Sequence, residues 1–157
     1  MIPRIIVSAL AIALLIVVLV VVLSFPVQRA APVPKVQPEM PTRSLVVGGL
    51  VVHAFVADTE TLREKGLSGR EGLAPNEGML FVFGEDGRYS FWMKDMQFSI
   101  DILWLTSEGK VVYIQHNLSP ETYPATYRSP TPARYVLELP AGFAQSHGIH
   151  VGDTVSP

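Results

Sequence analysis

Two charged side chains interrupt apolar, aromatic runs in this chain. Lys94 closes Phe91-Trp92-Met93-Lys94, and Asp101 sits inside Ile100-Asp101-Ile102-Leu103-Trp104. An isolated charge is costly to bury, so such groups are paired, hydrogen-bonded or used in chemistry. A hairpin joining the two runs brings Lys94 and Asp101 near each other. The pair then either lines a pocket with Trp92 or Trp104 as an apolar wall, or serves as a pin in which Asp101 accepts loop backbone N–H groups. No nucleophile or metal ligand accompanies the pair, which favours the pin.

Arg63 and Arg70 flank Gly66-Leu67. Facing one cleft, their guanidinium forks would hold a carboxylate or phosphate. Facing inward, they would pair with Glu138 or Asp101. Ser129, in Tyr127-Arg128-Ser129-Pro130, has no Gly-x-Ser-x-Gly frame and reads as a turn serine before proline. Four histidines, at 53, 116, 147 and 150, form no metal-ligand spacing, so no metal or other cofactor is expected. There is no cysteine, hence no disulfide and no thiolate chemistry.

The elements that must position these residues are short. Leu45 to Val47 and Leu50 to Ala57, joined by Gly48-Gly49, read as a hairpin. Thr61-Leu62-Arg63-Glu64 matches a capping box, with Asp58 or Thr59 as other possible caps, and Gly66 is the natural stop. Gly78 to Phe83 is too continuously apolar for a half-exposed strand and should be central. Tyr89 to Met93, Ile100 to Leu105, Val111 to Gln115 and Arg134 to Leu139 read as further strands. Glu138 alternates onto the face of Arg134 and Val136, and with Asp153 it is read as a structural pin. Asn117 to Pro132 is a proline-punctuated loop long enough to carry function. Pro140 to His147 reads as a short helix, followed by a last short strand beyond Gly152-Asp153. The expected class is mainly β (α+β): a small, largely antiparallel barrel-like or curled sheet of seven or eight short strands with one or two short helices.

The rest of the chain of 157 residues has its own organisation. After a short head (residues 1–4), residues 5–25 carry no charge and consist almost entirely of Ile, Val, Leu and Ala. Such a run is long enough for one transmembrane helix. It lacks the short apolar core and small-x-small cleavage site of a secretory signal, so it is expected to remain as an anchor. Residues 26–43 hold five prolines and read as an extended spacer. Residues 44–157 form the expected β-rich domain, with eight basic and thirteen acidic residues and a net charge of −5. That balance argues against nucleic acid and against lying flat on anionic lipid. The expected location is the cell membrane, single-pass, with the domain outside the cytoplasm.

From about Val51 to Val155 the chain resembles the Domain of Unknown Function 192 family. The resemblance rests on Thr59 with Arg63, Gly66-Leu67 and Arg70; Gly78-Met79-Leu80-Phe81-Val82-Phe83; Phe91-Trp92-Met93-Lys94; and Asp101-Ile102. It continues through Gly109, Tyr127 with Ser129, Pro132-Ala133, Tyr135 to Leu139, Ala141-Gly142, Gly148-Ile149 and Gly152-Asp153. Ser68, Met96 and Phe98-Ser99 depart from the family pattern, and all but Ser68 lie in the connection from Lys94 to Asp101. The resemblance implies a β-rich single domain and no assigned activity.

The function expected from these residues is a membrane-tethered binding module for a small anionic or sugar-like envelope ligand. Its candidate ligand residues are Arg63, Arg70, Trp92, Lys94, Asp101, Tyr127 and Ser129. Two alternatives stand beside it. One is a hydrolase or lyase with Asp101 as general base and Lys94 or Arg70 steadying negative charge. The other is an assembly factor that docks on another membrane protein.

Overall fold

The structure, a computed structural model, describes residues 40–156. The expected head, anchor and most of the spacer, residues 1–39, lie outside the described residues. Among the described residues no helix is long and apolar enough to cross a membrane. Among the described residues the fold is mainly β, with eight strands and two short helices. In chain order these are β1 (Thr42–Val47), β2 (Leu50–Ala57), α1 (Glu60–Lys65), β3 (Glu77–Gly87) and β4 (Ser90–Trp92). There follow β5 (Ile100–Leu105), β6 (Val111–Leu118), β7 (Thr126–Arg128), β8 (Ala133–Pro140) and α2 (Phe143–Ser146).

Six strands form one sheet in the order β1-β2-β3-β8-β5-β6. Every pairing is antiparallel except β2 with β3, which run parallel. The exception follows from chain length, because residues 58–76 contain α1 and supply the crossover that parallel neighbours need. The expected β1–β2 hairpin is present, with both Gly48 and Gly49 at positive φ. Strand β1 starts at Thr42, two residues inside the expected spacer.

Strand β5 is buried at all six positions, so both sheet faces are covered there. Its even residues Ile100, Ile102 and Trp104 join Met79, Phe81, Val136, Leu67 and Met93 in one core. Its odd residues Leu103 and Leu105 join Leu80, Leu137, Leu139, Phe143 and Val155 in the other. The sheet curls but does not close through strand ladders. Its two edges meet the same segment near the C-terminus, where Val46 bridges Ser156 and Lys110 bridges Thr154. Two positions two residues apart lie only about 7 Å apart in extended chain, so β1 and the start of β6 must approach closely.

Three expectations need correction. Strand β4 does not form a hairpin with β5; it pairs with β7 in a separate two-stranded ribbon. That ribbon draws part of the expected 117–132 loop into regular structure. The last short strand is present only as isolated bridges, and Pro140 ends β8 rather than starting a helix.

Candidate functional site

A groove of about 960 Å³ opens on the β4 side of the sheet. Its walls come from α1, the loop after it, β4 and the turn that follows; its floor includes Phe81 and Glu138.

The α1 wall begins at Thr59, whose Oγ1 caps the helix by accepting from Leu62 N at 3.3 Å. The cap therefore falls on the threonine two residues ahead of the capping-box position. Gly66 ends the helix at φ 48°, with its N–H on Leu62 O, a left-handed stop that glycine takes without strain. Arg63 points across the helix. Its Nη1 donates to Asp58 O at 2.6 Å and to Val82 O at 2.9 Å, and its guanidinium lies 5.3 Å from the centre of the Phe83 ring. Arg63 thus binds α1 to β3 through backbone carbonyls and makes no ion pair with Glu138. Among the described residues the one ion pair is Arg134 with Asp86, at 2.8 Å.

The opposite wall is the aromatic end of β4. Trp92 is 53% exposed and meets Tyr123 edge-on at 6.2 Å. Lys94 is exposed, with Nζ 5.9 Å from the Trp92 ring centre. The Met93–Met96 turn is tied to the α1 loop by two bonds: Ser68 Oγ donates to Lys94 O at 2.9 Å, and Gly69 N donates to Asp95 O at 2.9 Å. These two bonds hold the walls at a fixed separation. Phe83 and Tyr89 stack at 3.5 Å, and Phe91 packs edge-on to Phe81 at 4.9 Å, so aromatic surface continues from rim to floor.

Glu138 is the unexpected member. In β8 it lies between Met79 of β3 and Ile102 of β5 in the strand register. It is only 5% exposed, and its Oε2 is buried without a hydrogen-bond partner. Burial among apolar neighbours raises its carboxyl to about 8. It is therefore a neutral acid at pH 7. The reading as a structural pin missed this, because a pin requires a partner. The signal was present in Tyr135 to Leu139: a lone carboxylate in an apolar run, with apolar register neighbours on both sides.

The other candidates lie elsewhere. Asp101 is fully buried on the opposite sheet face. Its Oδ1 accepts from Asn117 N at 2.8 Å and Gly142 N at 3.1 Å, and its Oδ2 from Ala144 N at 2.9 Å. Asp101 thereby caps α2 from a neighbouring strand, a role that Gly142 has no side chain to fill. No hairpin joins it to Lys94, because β4 and β5 do not pair. Arg70 lies with its guanidinium carbon 4.0 Å from the Phe55 ring centre, outside the groove lining. Tyr127 pairs with Phe91 in the ribbon. Ser129 is buried, and its Oγ accepts from Thr131 N at 3.0 Å. Asp153 Oδ2 accepts from His150 N at 2.7 Å. Of the residues expected at the site, the groove collects Arg63, Trp92 and Lys94. Among the described residues no three His, Asp or Glu side chains converge as a metal site.

A second cavity, of about 170 Å³, is lined by Arg43, Leu45, Glu108 and Val155 among others. It falls below the roughly 300 Å³ at which small-molecule sites begin, and the groove is the candidate site.

Residues 44–157 match the DUF192 family, described as "Uncharacterized ACR". The chain belongs to this family. It is similar to the crystal structure of a "putative transcription regulator" from Sinorhizobium meliloti 1021, with 34% identity and a TM-score of 0.67; the match covers 72% of this chain and 89% of that one. It is also similar to a protein of unknown function from Novosphingobium aromaticivorans, with 27% identity and a TM-score of 0.72, covering 82% and 94%. No functionally curated protein matches the chain.

Proposed function

We propose that the chain is a membrane-tethered, extracytoplasmic binding module whose groove takes a small sugar-like ligand. The tether rests on the apolar run at residues 5–25, and the extracytoplasmic side is part of the same proposal. The groove carries the ligand reading. Its volume of about 960 Å³ suits a small molecule, and it joins an exposed Trp92 face to a buried, unpartnered acid. A sugar ring is amphipathic in the matching way: its C–H face covers an aromatic ring while its hydroxyl edge reaches polar groups.

The anionic option has less support. Arg63 already serves two carbonyls. The exposed cations Lys65 and Lys94 are balanced by Glu60, Glu64 and Asp95 on the same lining. A nucleic-acid ligand has no more support, since residues 44–157 hold eight basic against thirteen acidic residues, a net charge of −5, whereas neutralising phosphates needs an excess of cations.

The test is a thermal-shift and tryptophan-fluorescence screen of the full-length chain in detergent micelles against chitotetraose, maltotetraose and tri-galacturonate. Binding of at least one sugar, weakened by Trp92→Ala, is the expected result. If none binds at millimolar concentration, the reading is overturned.

A further inference from the structure

We propose that Glu138 is the recognition group on the groove floor, and that it selects an uncharged, hydroxyl-bearing ligand through a carboxyl that both gives and takes a hydrogen bond. This deepens the binding-module reading and rests on it.

Glu138 has an unmet need. Leaving a buried polar atom without a partner is costly, and Glu138 Oε2 is such an atom. The fold has not placed a partner for it. Met79 and Phe81 approach from β3, and Ile102 from β5. The charged groups on the walls are Glu60, Arg63, Glu64 and Lys65 of α1, with Lys94 and Asp95 after β4; Tyr89 precedes β4. Arg63 is held on carbonyl oxygens and Lys94 lies by Trp92. No cation of the groove is therefore committed to this carboxyl, and the remaining partner is whatever enters.

The chemistry of that partner follows. A neutral carboxyl has one donor and open acceptor positions, which complements a hydroxyl. An anionic group brought to the same floor would lose its water without meeting a cation. Burial keeps the Glu138 proton in place until about pH 8. Once it is lost, the floor carries an unpaired negative charge and can no longer donate. Affinity for a neutral ligand is then expected to fall about tenfold per pH unit above that point.

The experiment measures chitotetraose and maltotetraose affinity of the full-length chain in detergent micelles between pH 6 and 10, with tri-galacturonate as the charged comparison. Glu138→Gln keeps a donor and an acceptor; it should bind within a few-fold of wild type and lose the pH dependence. Glu138→Leu fills the same space without polarity; it should fold and bind at least tenfold more weakly. Carbon-13 spectra of labelled glutamate carboxyls, assigned by difference with Glu138→Gln, should show one group titrating near 8 in the ligand-free chain.

A wild-type chain that binds a neutral sugar equally at pH 6 and 9.5, with Glu138→Leu binding as well, overturns this inference and leaves the binding module standing. Preference for tri-galacturonate does the same. A Glu138 carboxyl that titrates with ordinary glutamates overturns it without any ligand. If no sugar binds at all, both readings fall.

Discussion

At the scale of single residues, two buried carboxylates in one small domain are handled in opposite ways. Asp101 has three N–H donors and Glu138 Oε2 has none. Asp101 therefore behaves as structure. It ties β5 to the start of α2 and to Asn117, which has φ 49°. Hydrogen bonds to a charged group contribute roughly 1.5–3 kcal/mol each, and orphaned donors add to the loss. Asp101→Asn should lower stability by about 2–4 kcal/mol, or roughly 10 °C in Tm, while the folded fraction keeps ligand binding. Denaturant titration beside a binding isotherm checks both halves; loss of binding at unchanged stability would return Asp101 to the site. Glu138 behaves as a cost. Its carboxyl is raised from 4.5 to about 8 in the folded chain, so between those values the unfolded chain has released a proton that the folded chain keeps. Stability is then highest below pH 4.5 and declines toward pH 8, by about 1.4 kcal/mol per unit for this group alone. Glu138→Gln removes that slope. The stability difference between variant and wild type should grow in the variant's favour across this window and level off above it, which denaturant midpoints at a series of pH values will show.

At the scale of elements, much of the frame is legible from residue patterns. Gly48-Gly49 between two apolar runs specifies the first hairpin, and the continuous apolar run at Gly78 to Phe83 marks a strand between two others. The partner of β4 is not legible. Three residues, Ser90–Trp92, carry too little periodicity to choose between β5 and a short segment of a proline-rich loop. Proximity along the chain favours β5, whereas β5 is flanked on both edges by β8 and β6. That one pairing decides the site, because it separates Lys94 from Asp101 and turns Trp92 outward over the groove. The ribbon also makes a separable prediction. Trp92 is 53% exposed, so Trp92→Ala should cost no more than about 1 kcal/mol of stability. It should nonetheless weaken sugar binding by tenfold or more. A Trp92→Phe variant should recover part of the affinity, because it restores an aromatic face. Equal loss of stability and binding in both variants would mean that Trp92 supports the ribbon rather than the ligand.

At the scale of the whole molecule, the curled sheet depends on a few residues near the C-terminus. Edge strands invite unwanted pairing, and β1 and β6 are the two edges here. The segment from Asp153 to Ser156 spans them. Val46 N donates to Ser156 O at 2.7 Å, Ser156 N to Val46 O at 3.2 Å, Val155 N to Gly109 O at 2.9 Å and Val111 N to Asp153 O at 2.8 Å. Val155, 6% exposed, is carried with them into the core of Leu45, Leu80 and Leu105. Gly109 is needed for this approach, since it has φ +79° and a side chain there would collide with Val155 O. Four backbone bonds at about 1 kcal/mol each, with about 2 kcal/mol for the buried valine, are a large share of a small domain's stability, which is about 5–15 kcal/mol. A chain stopped after Gly152 should therefore lose about 6 kcal/mol and free the outer edge of β1 at Val46. It should also self-associate through that freed edge, giving a concentration-dependent sedimentation profile that the intact chain lacks. Gly109→Ala, which keeps every residue of the segment but forbids its approach, should reproduce the same association at a smaller loss of stability. A truncated chain that stays monomeric with an unchanged denaturation midpoint would show that the sheet holds its curl through β3, β8 and β5 alone.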